Sequence, residues 1–349
     1  MGKYKQSILQ MTSRTTDTIN IFLNTDNNYI VPAYITIYSL MYNYRGKAPV
    51  NIHILTPGDI SPHNQLFLKS LIEKNRIFEI FIIDMRDAYR EVVMKSCFTN
   101  TILYRLMIPR ICEQLNLKTD KCIYLDTDIV VEGDITELYN VDADWDEYYC
   151  AGVRDCLTIT RAEWFLKHKD LLGIPSMDRY INAGVLLINL KQIKEDSLLH
   201  RLEEAGYRED FLFYDQDAIN SVCYEGIKLI PLKYDVMPQV FFHNNSEIYS
   251  NYGRENVLDA KKSPVVIHYM DKYKPWSHRR LYLARHWWRY VKMQDEEIMR
   301  EYITPFIEPY KVPLSTTVKD SLLSVLIHIG AYNHFKKIKH LLNKRTPKK

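Results

Sequence analysis

This sequence lacks several features, and each lack closes off a class of protein. No apolar run reaches the roughly 18 residues that a membrane-spanning helix needs, so a transmembrane protein is not expected. Met1 to Thr18 is polar and carries no apolar stretch of the secretory kind, so the expectation is a cytoplasmic protein with a ragged leader over residues 1–18. The six cysteines, Cys97, Cys112, Cys122, Cys150, Cys156 and Cys223, show no paired spacing and form no Cys-x-x-Cys. Buried, reduced thiols are expected, not a disulfide framework or a zinc site. No Gly-rich basic loop stands near the N-terminus, which counts against a nucleotidyltransferase. No nucleic-acid motif and no internal repeat is present, and a nucleic-acid partner is not expected. Net charge is only +3, yet from Ser321 onward there are seven Lys/Arg and no acidic residue. That asymmetry describes a basic tail, not a basic protein.

The 349 residues are 46% hydrophobic and 26% charged, which suits one large α/β domain with an appendage, or two domains. Ile19–Leu23, Val50–Leu55, Phe78–Ile83 and Cys122–Leu125 read as strands. Between them, Tyr34–Tyr44, a segment started by Ser61, and Tyr104–Leu115 carry helical spacing. The alternation predicts a mostly parallel sheet covered by helices. Ala183–Ile188 is another buried strand, and Val265–Ile267 a short one ending at His268.

Asp126-Thr127-Asp128 interrupts an apolar run, Cys122–Leu125 before it and Ile129–Val131 after it. Two carboxylates at the exit of a buried strand are costly to desolvate unless a cation holds them. A hard divalent ion would take these oxygens and fill its other positions from phosphate, pointing to a metal-bridged nucleotide diphosphate. Ligands of such sheets sit beyond the carboxyl ends of strands. Asn24-Thr25-Asp26 leaves the first strand at that edge, so two distant acidic loops are expected to face one crevice.

Four motifs then occur in order: Asp126-Thr127-Asp128; Tyr180-Ile-Asn182-Ala183-Gly184-Val-Leu-Leu-Ile-Asn189; Tyr214-Asp215-Gln216-Asp217; and His268-Tyr-Met-Asp-Lys-Tyr-Lys274-Pro275-Trp276. Together they resemble glycosyltransferase family 8 over roughly residues 19–276. The resemblance implies a single nucleotide-sugar-binding Rossmann-like α/β domain of GT-A type. A basic amphipathic helical extension over 277–349 lies outside it. It further implies Mn²⁺, with Mg²⁺ as the alternative, and retaining transfer of glucose or galactose from a UDP-hexose to a glycan acceptor.

Carried over by position, Asp126, Asp128 and His268 match the metal ligands, and Lys274 the diphosphate contact. Asn24, Thr25, Asp26 and Tyr29 match the uridine loop, with capping as a competing role for Asp26 and core packing for Tyr29. Thr127 stands between the paired carboxylates. Arg105, one cation in an apolar helix, implies a buried ion pair or a phosphate or sugar contact. Asn182, Ala183 and Gly184 match a close approach of the sugar to backbone. Asp155, Asp215 and Gln216 match groups at the reacting sugar. Since Gln216 is a poor nucleophile, front-face transfer is expected over double displacement through Asp155 or Asp215. Asp271 stands where the family usually has glycine. A glycogenin-like self-glucosylating enzyme and a non-catalytic sugar-nucleotide-binding module remain alternatives. A last amphipathic helix over 319–343, with Gly330 as a break, suits contact with an anionic membrane through 319–349; a packed helix with a solvated end suits it as well.

Overall fold

A computed structural model of the chain describes residues 5–8, 18–73, 75, 77–94, 99–243, 245–270, 272–332 and 335. Ten strands are described: β1 (Lys5–Ile8), β2 (Ile19–Asn24), β3 (Val50–Thr56), β4 (Phe78–Asp84), β5 (Lys121–Leu125), β6 (Ile129–Val131), β7 (Cys150–Gly152), β8 (Val185–Asn189), β9 (Ile227–Leu229) and β10 (Val266–His268). Eight of them form one sheet in the order β1-β4-β3-β2-β5-β8-β7-β9. Its centre, β4-β3-β2-β5, is parallel, with Ile21 opposite Ile52 and Leu23 opposite Leu125. These strands are near-continuous apolar runs because helices cover both of their faces. Beyond β5, β8 runs antiparallel to both β5 and β7, with Leu125 opposite Val185, while β7 and β9 pair parallel. The mostly parallel α/β architecture is thus as expected.

Four local expectations change. The leader is not ragged throughout, since Lys5–Ile8 pairs antiparallel with β4 and closes that edge. The first helix starts at Ile30, not Tyr34, because Asp26 caps the short turn Asn27–Tyr29 that leads into it. The segment read as one helix from Tyr104 is a 3-10 helix, Asn100–Met107, that passes into an α-helix, Ile108–Gln114, with Pro109 in its first turn. The helix expected from 319 starts at Leu314 and runs to His328, and Gly330 at φ +72° makes the expected break after it, while residues 336–343 lie outside the described residues. The helix Pro62–Ser70 is capped by Ser61 as expected, its hydroxyl accepting from the Asn64 N–H at 3.2 Å.

Two cores fill the two faces of the sheet. The segment after residue 277 belongs to the first of them. Trp287, Tyr290, Val291, Ile303 and Ile327 are buried against the helix Ile30–Asn43 and the β6–β10 ribbon. Within the run Arg285–Arg289, Trp287 and Trp288 therefore face inward while Arg285 and Arg289 stay exposed, and Glu132, just past β6, holds His286 at 3.0 Å and Arg289 at 3.1 Å. Among the described residues no helix is long and apolar enough to cross a membrane. The five described cysteines are free and buried, and Cys97 lies outside the described residues. So do Asp271 and the basic tail from Lys336.

Candidate functional site

β5 ends at Leu125 and β6 starts at Ile129, so Asp126-Thr127-Asp128 bridges the main sheet and the small ribbon. β10 pairs antiparallel with β6, with His268 opposite Ile129. That register sets the imidazole beside the two carboxylates. His268 Nε2 lies 3.3 Å from Asp128 Oδ1 and 3.6 Å from Asp126 Oδ2. One donor atom from each of the three falls within 4.8 Å of the others. Lys274 Nζ donates to the Asp128 carboxylate and, at 2.8 Å, to the Tyr269 carbonyl.

The surroundings fit a divalent ion. His268 Nδ1 faces the buried Asp235 carboxylate at 3.1 Å, which aims Nε2 at Asp126 and Asp128. Imidazole with two carboxylates suits Mn²⁺ better than Ca²⁺. Gly184 keeps the space open: a Cβ there would stand 2.2 Å from His268 Cε1 and 2.9 Å from Asp126 Oδ2. Burial pulls the His268 imidazole down, but Asp235 and Asp128 raise it more, up to about 10. Burial likewise opposes ionisation of Asp128, yet Lys274 and His268 hold it well below the usual carboxylate range.

Arg105 is buried at the floor. It reaches Asp126 at 2.7 Å, Asp215 at 3.0 Å and the Ala183 carbonyl at 2.6 Å, and lies over the Tyr124 ring. This is the ion-pair reading; a solvated arginine is excluded. Burial tends to neutralise Arg105, but Asp126 and Asp215 raise it above its ordinary value. Asp215 is pushed up to about 7 by burial, against the pull of Arg105.

A cavity of about 320 Å³ opens over these groups. Asp126, Asp128, His268, Lys274, Arg105, Asp155, Asn182, Ala183, Gly184, Asp215 and Gln216 all line it. Asp155 is fully buried. Its Oδ2 accepts from Asn182 at 2.9 Å and Gln216 at 3.0 Å, and its Oδ1 from the Leu157 N–H at 2.7 Å. Gln216 Oε1 accepts from the Ala183 N–H at 3.1 Å. The expected nucleoside loop does not reach this wall. Asn24 and Thr25 are buried beside the exit of β5, and Thr127 is buried as well. Asp26 plays the capping role, its Oδ1 accepting from Asn28 and Tyr29 at 2.9 and 3.0 Å. Tyr29 meets Trp276 edge-on at 5.8 Å. A larger cleft of about 1180 Å³ lies at the opposite end of β5, around Lys121 and Asn189, and holds none of these groups.

Sequence reading missed Asp235, whose only signal is a lone acid before an apolar run, Val236-Met237. It missed Tyr124 too, whose hydroxyl donates to Asp126 Oδ1 at 2.7 Å. Arg161 and Gln239 also line the cavity, and Gln239 Oε1 is buried without a partner.

Comparison with known proteins agrees with the geometry. Residues 20–280 match the family model "Glycosyl transferase family 8". A lipopolysaccharide 1,2-glucosyltransferase of Escherichia coli is 24% identical over 282 residues, which is 79% of this chain and 78% of that protein. The galactosyltransferase LgtC, solved with donor and acceptor sugar analogues, superposes with a TM-score of 0.63 at 21% identity, covering 80% of this chain and 99% of LgtC. The bifunctional glycosyltransferase WbbM superposes at 0.71 and 21% identity; this chain spans about half of it, 53%, with 86% of its own length.

Proposed function

The chain belongs to glycosyl transferase family 8, and we propose that it moves glucose or galactose from a UDP-sugar to a hydroxyl of a cell-envelope or protein-linked glycan, with retention. The observation that carries this reading is one cavity lined both by Asp126, Asp128, His268 and Lys274 and by Asp155, Asn182 and Gln216. A divalent ion, Mn²⁺ or Mg²⁺, held by Asp126, Asp128 and His268 would neutralise the charge that builds on the leaving diphosphate. Lys274 stands at the same carboxylate pair and adds a cation for that charge. The loop Asn24–Tyr29 holds the nucleoside beside the exit of β5.

Front-face transfer, in which the leaving phosphate accepts the acceptor's proton, is favoured by what the carboxylates already do. Asp155 has both oxygens hydrogen-bonded inside the protein, and Asp215 is tied to Arg105. Neither is free to attack an anomeric carbon. The chain instead orients the sugar and supplies fixed charge around it.

Peripheral membrane contact through 319–349 belongs to the same proposal. The helix Leu314–His328 exposes Leu314, Val318, Leu322 and Val325 along one stripe, continued by Ile329. Basic residues follow it in the sequence.

The test is UDP release from UDP-glucose and UDP-galactose with Mn²⁺ and without acceptor, with Asp128→Ala as control. Metal-dependent release from one donor, lost in the control, supports the reading. No release from either, together with no Mn²⁺-dependent UDP binding, sinks it.

A further inference from the structure

Gln216 is held by more than its neighbours in the cavity. Its Nε2 donates to Asp155 Oδ2 at 3.0 Å and to the Tyr180 hydroxyl at 3.2 Å. A phenol that accepts from Gln216 must send its own proton elsewhere, and Tyr180 donates to Asp217 Oδ1 at 2.6 Å. Burial and the Asp217 charge push the Tyr180 phenol well above its ordinary value, so it keeps that proton. His168 Nε2 meets the same Asp217 oxygen at 2.8 Å. Asp217 Oδ2 accepts the Leu212 and Phe213 N–H groups, both at 2.8 Å. His168 Nδ1 is buried with no partner, so Nε2 is the ring nitrogen that offers its hydrogen to Asp217. His168, Tyr180 and Asp217 are all buried. None of the three lines the cavity.

We propose that His168, Asp217 and Tyr180 form a positioning relay that fixes which way round the Gln216 carboxamide lies at the donor sugar. The direction of each hydrogen bond follows from the last. His168 and two backbone N–H groups saturate Asp217 except at the site that Tyr180 fills. Tyr180 can then only accept from Gln216, so the amide nitrogen turns toward Asp155 and the oxygen toward the Ala183 N–H. Flipped, the amide would set an oxygen against the Asp155 carboxylate and a nitrogen against the Ala183 N–H. Asp155 would keep only the Asn182 side chain and the Leu157 N–H as donors and would face a repelling oxygen in place of the third. The relay thus secures the pose of the Gln216–Asp155 pair. Its effect on turnover rests on the functional reading above, in which that pair faces the reacting sugar.

The test removes a single oxygen atom. In the full chain, Tyr180→Phe should lower kcat for Mn²⁺-dependent UDP release by up to about 100-fold. KM for the UDP-sugar and Mn²⁺-dependent UDP affinity should stay within about twofold. In a crystal structure of the variant the Gln216 amide should leave the Ala183 N–H. The proposal is overturned if the amide keeps its place, whatever the activity, or if kcat falls only together with a weakened KM and UDP affinity. A wild-type chain that released no UDP from either donor would sink the functional reading instead, and the crystal structure would still decide the relay. Should Tyr180→Phe not fold, His168→Gln and His168→Phe make the same comparison. Gln restores an N–H for Asp217 and should retain turnover, whereas Phe should lose it; equal behaviour overturns the relay.

Discussion

Substituting alanine at Gly184 probes the metal site without touching a ligand. Gly184 has ordinary backbone angles, so the effect is one of space alone. The new Cβ would lie 2.2 Å from His268 Cε1, 2.7 Å from Nδ1 and 2.9 Å from Asp126 Oδ2. Nothing there yields easily. The imidazole is pinned by Asp235, and the His268 N–H donates to the Val236 carbonyl at 3.1 Å. Asp126 is held by Arg105 and Tyr124, and its N–H donates to the Gly184 carbonyl at 2.8 Å. Reaching ordinary van der Waals contact moves the ring by about 1 Å or more. Overpacking of this kind costs about 1–3 kcal/mol. For a chain of this size that lowers Tm by roughly 1–4 °C. The displaced imidazole should weaken Mn²⁺ binding by more than about tenfold. Calorimetric titration with Mn²⁺, beside thermal melts with and without the ion, reads both effects. A Gly184→Ala protein that binds Mn²⁺ like the wild type would refute the assignment of His268 and Asp126 as joint ligands.

Other consequences can be checked in parallel. Asp235→Asn should keep the fold yet weaken Mn²⁺ by about 10–100-fold, because the imidazole loses the group that aims Nε2; affinity within twofold of wild type would count against that role. His268 stands at about 10 in the folded, ion-free chain, against about 6.5 when unfolded. A raised cation contributes stability that is complete below the unfolded value and is lost as pH climbs through the folded one. The Tm of the ion-free chain should therefore fall from pH 7 to pH 10, while the rise in Tm on adding Mn²⁺ grows over the same window. A rising ion-free Tm there would contradict the charge state. Trp287→Ala, deep in the first core, should cost about 3–5 kcal/mol by chemical denaturation, although it lies beyond the last residue of the family match; a change below 1 kcal/mol would show the C-terminal segment to be dispensable. Serine at Val318, Leu322 and Val325 together should abolish co-sedimentation with anionic vesicles and leave UDP release intact. Unchanged sedimentation would remove the membrane contact.

Much of this was legible in the residues, where local chemistry speaks for itself. The apolar runs of β2 to β5 can only be strands buried on both faces, and Asp126-Thr127-Asp128 at the end of one is too costly without a cation. Ser61 and Gly330 mark helix ends through the backbone angles and donors they supply. Asp26 shows where local reading divides, because a carboxylate that could meet a nucleoside can also cap a turn, and its Oδ1 caps the turn Asn27–Tyr29. The aromatic-basic run Arg285–Arg289 shows where it fails. Composition sees amphipathic character but not what covers it, and Trp287 turned out to be core.

Pairings distant along the chain were decided only by the tertiary structure. His268 reaches the acidic pair because β10 adds antiparallel to β6 with His268 opposite Ile129, a register that no spacing in the sequence announces. Asp235 reaches His268 because the segment around Val236 bridges to β10 beside Ile267. The array from His168 through Asp217 and Tyr180 to Gln216 joins three segments and exists only once the second core has closed around it. Residue type and local pattern name the chemistry a chain can perform; sheet register and burial decide which of those groups meet.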